Sequence, residues 1–181
     1  MDLSVVDLSP VPPNGTAADA FANTVAAAEQ AERLGYSRFW VAEHHGRAER
    51  LAGTTPEVLL GRLAAATDAI RIGSGAVLLN HYRPFKIAEA FGTLDGLAPG
   101  RVDVGVGRAN GSPAVDRALG TSRRAENPNE DHEERIRELP FLSWEGVNEC
   151  YDAHLAGENR MGPLYALVTF LEMPLVDRVV G

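Results

Sequence analysis

Apolar positions along the first 110 residues follow two alternating periods. Short runs rich in Val, Ile and aromatic residues read as strands: residues 3–8 (LSVVDL), 38–42 (RFWVA), 70–79 (IRIGSGAVLL) and 101–106 (RVDVGV). Between them, apolar residues recur three or four positions apart, the spacing of one helix face. Phe21, Val25, Ala28 and Ala31 mark a first helix, opened by Thr16 and Asp19 in capping-box order and closed at Leu34-Gly35. Val58, Leu59, Leu63 and Ala66 mark one side of a second, opened by Thr55-Pro56-Glu57. Phe85, Ala88, Phe91 and Leu94 mark a third, which begins at Pro84 and gives way to a turn at Pro99-Gly100. The 38–42 run shows no polar alternation, so both of its faces are expected to be buried, as in a parallel sheet. Four strand–helix units in succession predict right-handed crossovers and an all-parallel α/β fold.

After Ala109 the rhythm breaks. Residues 121–134 (TSRRAENPNEDHEE) are almost wholly polar and read as a solvated linker. Residues 133–139 and 144–155 read as helices, the second with Val147, Cys150, Tyr151, His154 and Leu155 on one face. Residues 164–171 and 175–180 are candidate strands. The chain is thus expected to divide into an α/β unit over 1–112 and a divergent, irregular, partly helical tail over 113–181.

With 181 residues, 45% hydrophobic and 23% charged, the composition is that of one soluble globular domain with a sizeable core. A formal net charge of -8 argues against general nucleic-acid binding and against an anionic membrane surface, since both need a basic face. The start, MDLSVVDLSP, lacks a basic segment ahead of an apolar run, and the longest apolar run, LYALVTFL, is too short to span a bilayer. A single cysteine, Cys150, forms no internal disulfide. These features fit a reducing, cytoplasmic setting.

In parallel α/β folds ligands bind at the carboxyl ends of the strands. Here those ends carry Asp7-Leu8-Ser9, Glu43-His44-His45, the stretch from Gly75 to His81, and Gly107-Arg108, the most polar and glycine-rich spots in the unit. Glu43 reads either as a buried carboxylate paired with an arginine or as a functional acid. His44 and His45 are adjacent, so in extended backbone their side chains point to opposite sides and one alone faces a ligand. His81 by itself reads as a solvated loop residue, and His132 and His154 suggest no chemistry. Arg108 either salt-bridges locally or grips a phosphate or ring edge. The run GVGRANG has glycines at 105, 107 and 111, the third one place late for a dinucleotide fingerprint. Metal binding by Glu43, His44 and His45 needs ligands from other strands, and His81 is the one evident donor, so no metal is expected.

The segments LSVVDLSP, AERLGYSRFWVAEHH and IRIGSGAVLLNHYRPFKIAEAFGTLDGLAPGRVDVGVGRANG, in this order and spacing, resemble the bacterial luciferase-like, flavin-dependent monooxygenases. The likeness covers residues 3 to about 112. It implies a (β/α)8 TIM barrel, here truncated to about four parallel βα units, because a whole barrel takes about 250 residues. It implies reduced FMN as cofactor, with the deazaflavin F420 as another possibility, and O2 and a small organic molecule as substrates. By resemblance His44 matches the catalytic imidazole, with Glu43 and His45 flanking it. Gly75-Ala76 matches a segment that often carries a non-prolyl cis peptide behind the flavin ring, and Arg108 a residue that holds the flavin or its phosphate. Asn80 stands where proline is commonest, on the same cofactor-binding stretch.

The expected function is therefore a flavin-dependent oxidoreductase of the monooxygenase type, supplied by a flavin reductase and completed by a second copy or another subunit. The alternatives are a non-catalytic flavin-binding or subunit-partner protein, and a metal-dependent hydrolase on a barrel scaffold.

Overall fold

All four expected strands form, and each pairs in parallel with its predecessor in sequence. A computed structural model describes residues 3–108, 113–119, 132, 135–137, 139 and 168–169. The strands are β1 (Ser4–Asp7), β2 (Arg38–Val41), β3 (Arg71–Leu78) and β4 (Val102–Gly107), connected by α1 (Ala17–Arg33), α2 (Pro56–Ala64) and α3 (Pro84–Leu97). A short α4 (Pro113–Ala118) follows β4, and a two-residue β5 (Val168–Thr169) adds a fifth parallel strand beside β4. That strand lies inside the 164–171 candidate. The segments expected at 144–155 and 175–180, and most of the 121–134 linker, fall outside the described residues.

Local chemistry explains the element starts. Thr16 and Asp19 close the capping box on α1: Asp19 N–H donates to Thr16 Oγ1 at 3.3 Å and Thr16 N–H to Asp19 Oδ2 at 2.7 Å. Pro56 and Pro84 open α2 and α3 at the position where a missing N–H costs nothing.

The helices bury slightly different faces from those expected. On α2, Pro56, Leu59, Leu60 and Leu63 form the buried stripe, and Val58 is 71% exposed. The stripe follows i, i+3, i+4, i+7, and Val58 sits about 100° around the helix from Leu59. On α1 the buried line is Ala20, Thr24, Ala28 and Ala31, which leaves Phe21 partly exposed; on α3, Phe85 falls outside the line of Ile87, Ala88, Phe91 and Leu94. Runs of adjacent apolar residues do not say which neighbour faces the sheet. Phe21 and Val58 instead line an open groove of 220 Å³ with Thr54 and Thr55.

Phe39 and Val41 of β2, Ile72 and Val77 of β3, and Val104 and Val106 of β4 pack into one core with Ala28, Leu59, Leu60, Leu63, Ile87 and Phe91 from the helices. Strand alternation sends the intervening residues to the other face. There Val6, Trp40, Gly73 and Asp103 stand in one register row. The Trp40 ring lies over Gly73, where a Cβ would come within 2.7 Å of it, so that position has room for glycine alone.

At the amino ends of the strands the charges on this face are paired. Asp103 accepts from Arg38 Nε at 3.1 Å and from Arg71 Nε at 2.8 Å, with a further bond from Arg71 Nη2. Arg101 donates to Thr67 Oγ1, Ile70 O and Ala64 O, at 3.0, 3.2 and 3.1 Å. Glu32, near the end of α1, accepts the backbone N–H groups of Asp68, Ala69 and Ile70 at 3.0, 2.6 and 2.9 Å. Slight burial raises its pKa, but these three donors outweigh it and hold the carboxyl below the ordinary value. None of the described helices is long and apolar enough to cross a membrane.

Candidate active site

At the carboxyl ends the chain after β2 doubles back toward β1. Ala52 N–H donates to Ser9 O at 2.9 Å, Val11 N–H to Arg50 O at 2.8 Å, and His44 N–H to Gly53 O at 2.8 Å. Gly53 passes so close to Ala42 O that a Cβ would lie 3.0 Å from it. This return strap fixes the backbone of Glu43-His44-His45. Gly46, with φ +69°, then turns the chain in a conformation that suits glycine.

Glu43 is 3% exposed and reaches across to the connection between β3 and α3. Its Oε2 accepts Leu78 N–H at 2.9 Å, and its Oε1 accepts Tyr82 O–H at 2.6 Å and His45 Nε2 at 2.5 Å. Glu43 is buried and paired, but its partners are an imidazole, a phenol and an amide, with no arginine among them. Burial, then the bond to Glu43, pushes the Tyr82 phenol well above its ordinary pKa, so it stays a donor.

His45 shares this network, and Tyr82 Oη stands 3.2 Å from its Nε2. The two histidines do part company. Among the described residues the His44 ring makes no hydrogen bond, and its pKa is lowered by burial first and then by Arg47, with His45 adding to the effect and Glu43 opposing it. Near neutrality it is a neutral imidazole with a nitrogen lone pair to offer.

The neighbouring strand end is built from small residues. Gly75 and Ala76 are half-buried in a strand whose flanking Ser74 and Val77 are buried, and the peptide between them is cis. A Cβ on Gly107 of β4 would lie 3.3 Å from Ala76 Cβ, so the two strand ends abut, and Arg108 follows at once, exposed. A Cβ on Gly75 would meet Trp40 Cβ at 3.2 Å, so small residues on two adjoining strand ends lie against Trp40 and next to a cation, a set that suits a flat ring carrying a phosphate.

Other expected rim residues make contacts within the protein. Asn80 Oδ1 accepts from His132 Nδ1 at 2.9 Å, so its side-chain oxygen is turned to a residue 52 positions later. His81 is buried on a 3-10 turn (Leu79–His81), its ring edge-on to His45 at 5.8 Å, and is not the solvated loop residue expected. At the end of β1, Asp7 Oδ1 accepts from Ser9 N–H at 2.6 Å and Thr24 Oγ1 at 2.9 Å, which ties β1 to α1. Tyr82 was not singled out in the sequence, and His132 suggested no chemistry there. The one signal for Tyr82 was its place in the polar stretch that follows β3. Among the described residues no group of three or more His, Cys, Asp or Glu side chains is placed to hold a metal ion.

The model of the family described as luciferase-like monooxygenase matches residues 1–140. The chain belongs to the luciferase-like monooxygenase family. Within that family, N-acetyl-S-alkylcysteine monooxygenase of Bacillus subtilis (strain 168) is 55% identical over 109 residues, which are 60% of this chain and 32% of that protein. The crystal structure of apo-MsnO8 superposes with a TM-score of 0.70 at 44% identity, covering 76% of this chain and 40% of that one. The oxygenating constituent of 3,6-diketocamphane monooxygenase from the CAM plasmid of Pseudomonas putida, a type II Baeyer-Villiger monooxygenase solved in complex with FMN, superposes at 0.67 with 25% identity, covering 77% and 38%. The chain therefore spans well under half the length of these luciferase-like relatives. Its βα units correspond to part of a (β/α)8 barrel, and the match extends past residue 112 to residue 140.

Proposed function

We propose that the chain serves a flavin-dependent monooxygenase that uses reduced FMN and O2 to oxygenate a small organic substrate. The observation that carries this reading is the union, in a member of this family, of a neutral imidazole at His44 with the small residues Gly75-Ala76 and the guanidinium of Arg108 on nearby strand ends. Bound reduced flavin would supply the electrons that activate O2. The protein's own contribution is local. Gly75 and Ala76 would back the ring, and Arg108 would offset the phosphate charge. His44 would accept or return a proton at its unbonded nitrogen. The Glu43–His45 pair would fix the wall beside it. A separate flavin reductase in the cytoplasm would deliver the reduced cofactor.

Anaerobic titration of the purified protein with reduced FMN, and in parallel with reduced F420, tests this. Saturable binding of FMN in the micromolar range is expected. No spectral or stability change with either cofactor would overturn the proposal, and binding of F420 alone would move it to the other cofactor.

A second reading, a subunit partner, draws on β1. That strand exposes Val6, which is 50% exposed, and is flanked by exposed Leu3 and Leu8, along a sheet edge that no described strand covers. Sedimentation in the presence of reduced FMN separates the two: oligomers without flavin binding would favour the partner role.

A further inference from the structure

We propose that Tyr82 is a positioning residue that, with Glu43, fixes His45 as the tautomer protonated at Nε2 and leaves Nδ1 as a bare acceptor. The inference rests on the rim being the reacting site. It follows from counting protons among three groups. The Glu43 side chain has no solvent contact, and Leu78 N–H fills Oε2 at 2.9 Å while Tyr82 O–H fills Oε1 at 2.6 Å. A phenol has one proton, and here it is spent on Glu43, so Tyr82 Oη offers only lone pairs to anything else. Nε2 of His45 lies 2.5 Å from Glu43 Oε1 and 3.2 Å from Tyr82 Oη and so faces two acceptors. A bare lone pair at Nε2 would be repelled by both oxygens; a proton there bonds to both.

The alternative, a proton on Glu43 donated to a bare Nε2, needs Oε1 to be the donor. Tyr82 disfavours that route, because its O–H and Leu78 N–H already donate to the carboxylate, and such bonds are stronger to the anion than to the neutral acid. Among the described residues Nδ1 of His45 makes no hydrogen bond, and the side chain keeps 17% of its surface exposed. The ring is steadied by the edge-on His81 imidazole and by the Gly46 turn, against which Val115 packs. The arrangement is a carboxylate-oriented imidazole with its second nitrogen available, and the phenol adds a second acceptor at Nε2.

Long-range proton–nitrogen NMR of the imidazoles, recorded without flavin on the alkaline side of neutrality, reads the tautomer directly. His45 is assigned by the signal lost in His45→Gln. Wild-type protein is expected to show a pyrrole-type Nε2 and a pyridine-type Nδ1 at His45. In Tyr82→Phe the opposite tautomer is expected to rise several-fold, with the amide spectrum unchanged. A wild-type His45 protonated at Nδ1 would overturn the proposal, as would a Tyr82→Phe protein with an unaltered tautomer ratio. The wild-type measurement decides the matter even where the variant does not fold. Flavin titration is scored separately, so failure to bind flavin would sink the proposed function and leave the tautomer result standing.

Discussion

The two ends of the sheet both carry charged and polar side chains and use them in opposite ways. At the amino ends, Asp103 holds Arg38 and Arg71, Arg101 is fastened to Thr67 and two carbonyls, and Glu32 gathers three backbone N–H groups. At the carboxyl ends, Glu43 is just as fully engaged, yet it engages His45 and Tyr82, while the His44 ring has no hydrogen bond among the described residues. One end spends its polar groups on holding strands to helices and to one another. The other spends some of them on the Glu43–His45–Tyr82 network and leaves the neighbouring His44 ring outside it.

Breaking each end should therefore show up in a different measurement. The largest effect is expected from His44→Ala, which should cut oxygenation by about 10² to 10⁴ while shifting stability by about 0.5 kcal/mol or less. Product assays beside urea titrations check it, and unchanged turnover would move the role away from His44. Asp103→Ala should do the reverse. It strands two guanidiniums that are each more than a third exposed, so a loss of about 1–2 kcal/mol is expected, with reduced-FMN affinity intact. Glu32→Ala should cost about 1 kcal/mol or less, since water can reach the three released N–H groups, and hydrogen exchange should quicken at residues 68–70 first.

The smallest effect is a pH dependence. The folded state holds the His44 pKa below its ordinary 6.5, so on acidification the unfolded chain takes up this proton before the folded one does. The resulting loss of stability begins as pH falls through 6.5 and levels off below the folded value. His44→Ala should lack this component, so its unfolding midpoint should fall less than the wild type between about pH 7.5 and pH 5.5.

The contrast between the ends was partly legible in the sequence. Strand and helix order, the caps at Thr16, Pro56 and Pro84, and the gathering of Glu43, His44, Gly75 and Arg108 at strand ends all depend on nearest neighbours or on one period. The parting of His44 from His45 followed from backbone alternation. What escaped depends on contacts across the chain. Asn80 meets His132 across 52 residues, and Tyr82 meets Glu43 across 39, distances over which no periodicity speaks. The misplaced faces of Phe21, Val58 and Phe85 have a nearer cause: adjacent apolar residues leave the helix phase open by one position.

Because every described strand from β1 to β4 lies beside the one made just before it, the barrel wall grows like a course of bricks laid in the order they arrive. A strand emerging from the ribosome finds its hydrogen-bonding edge already waiting, and no later segment has to be threaded between earlier ones. Sheet order of this kind lets synthesis and folding proceed in step, so the half-built wall is at each moment the template for its own next strand.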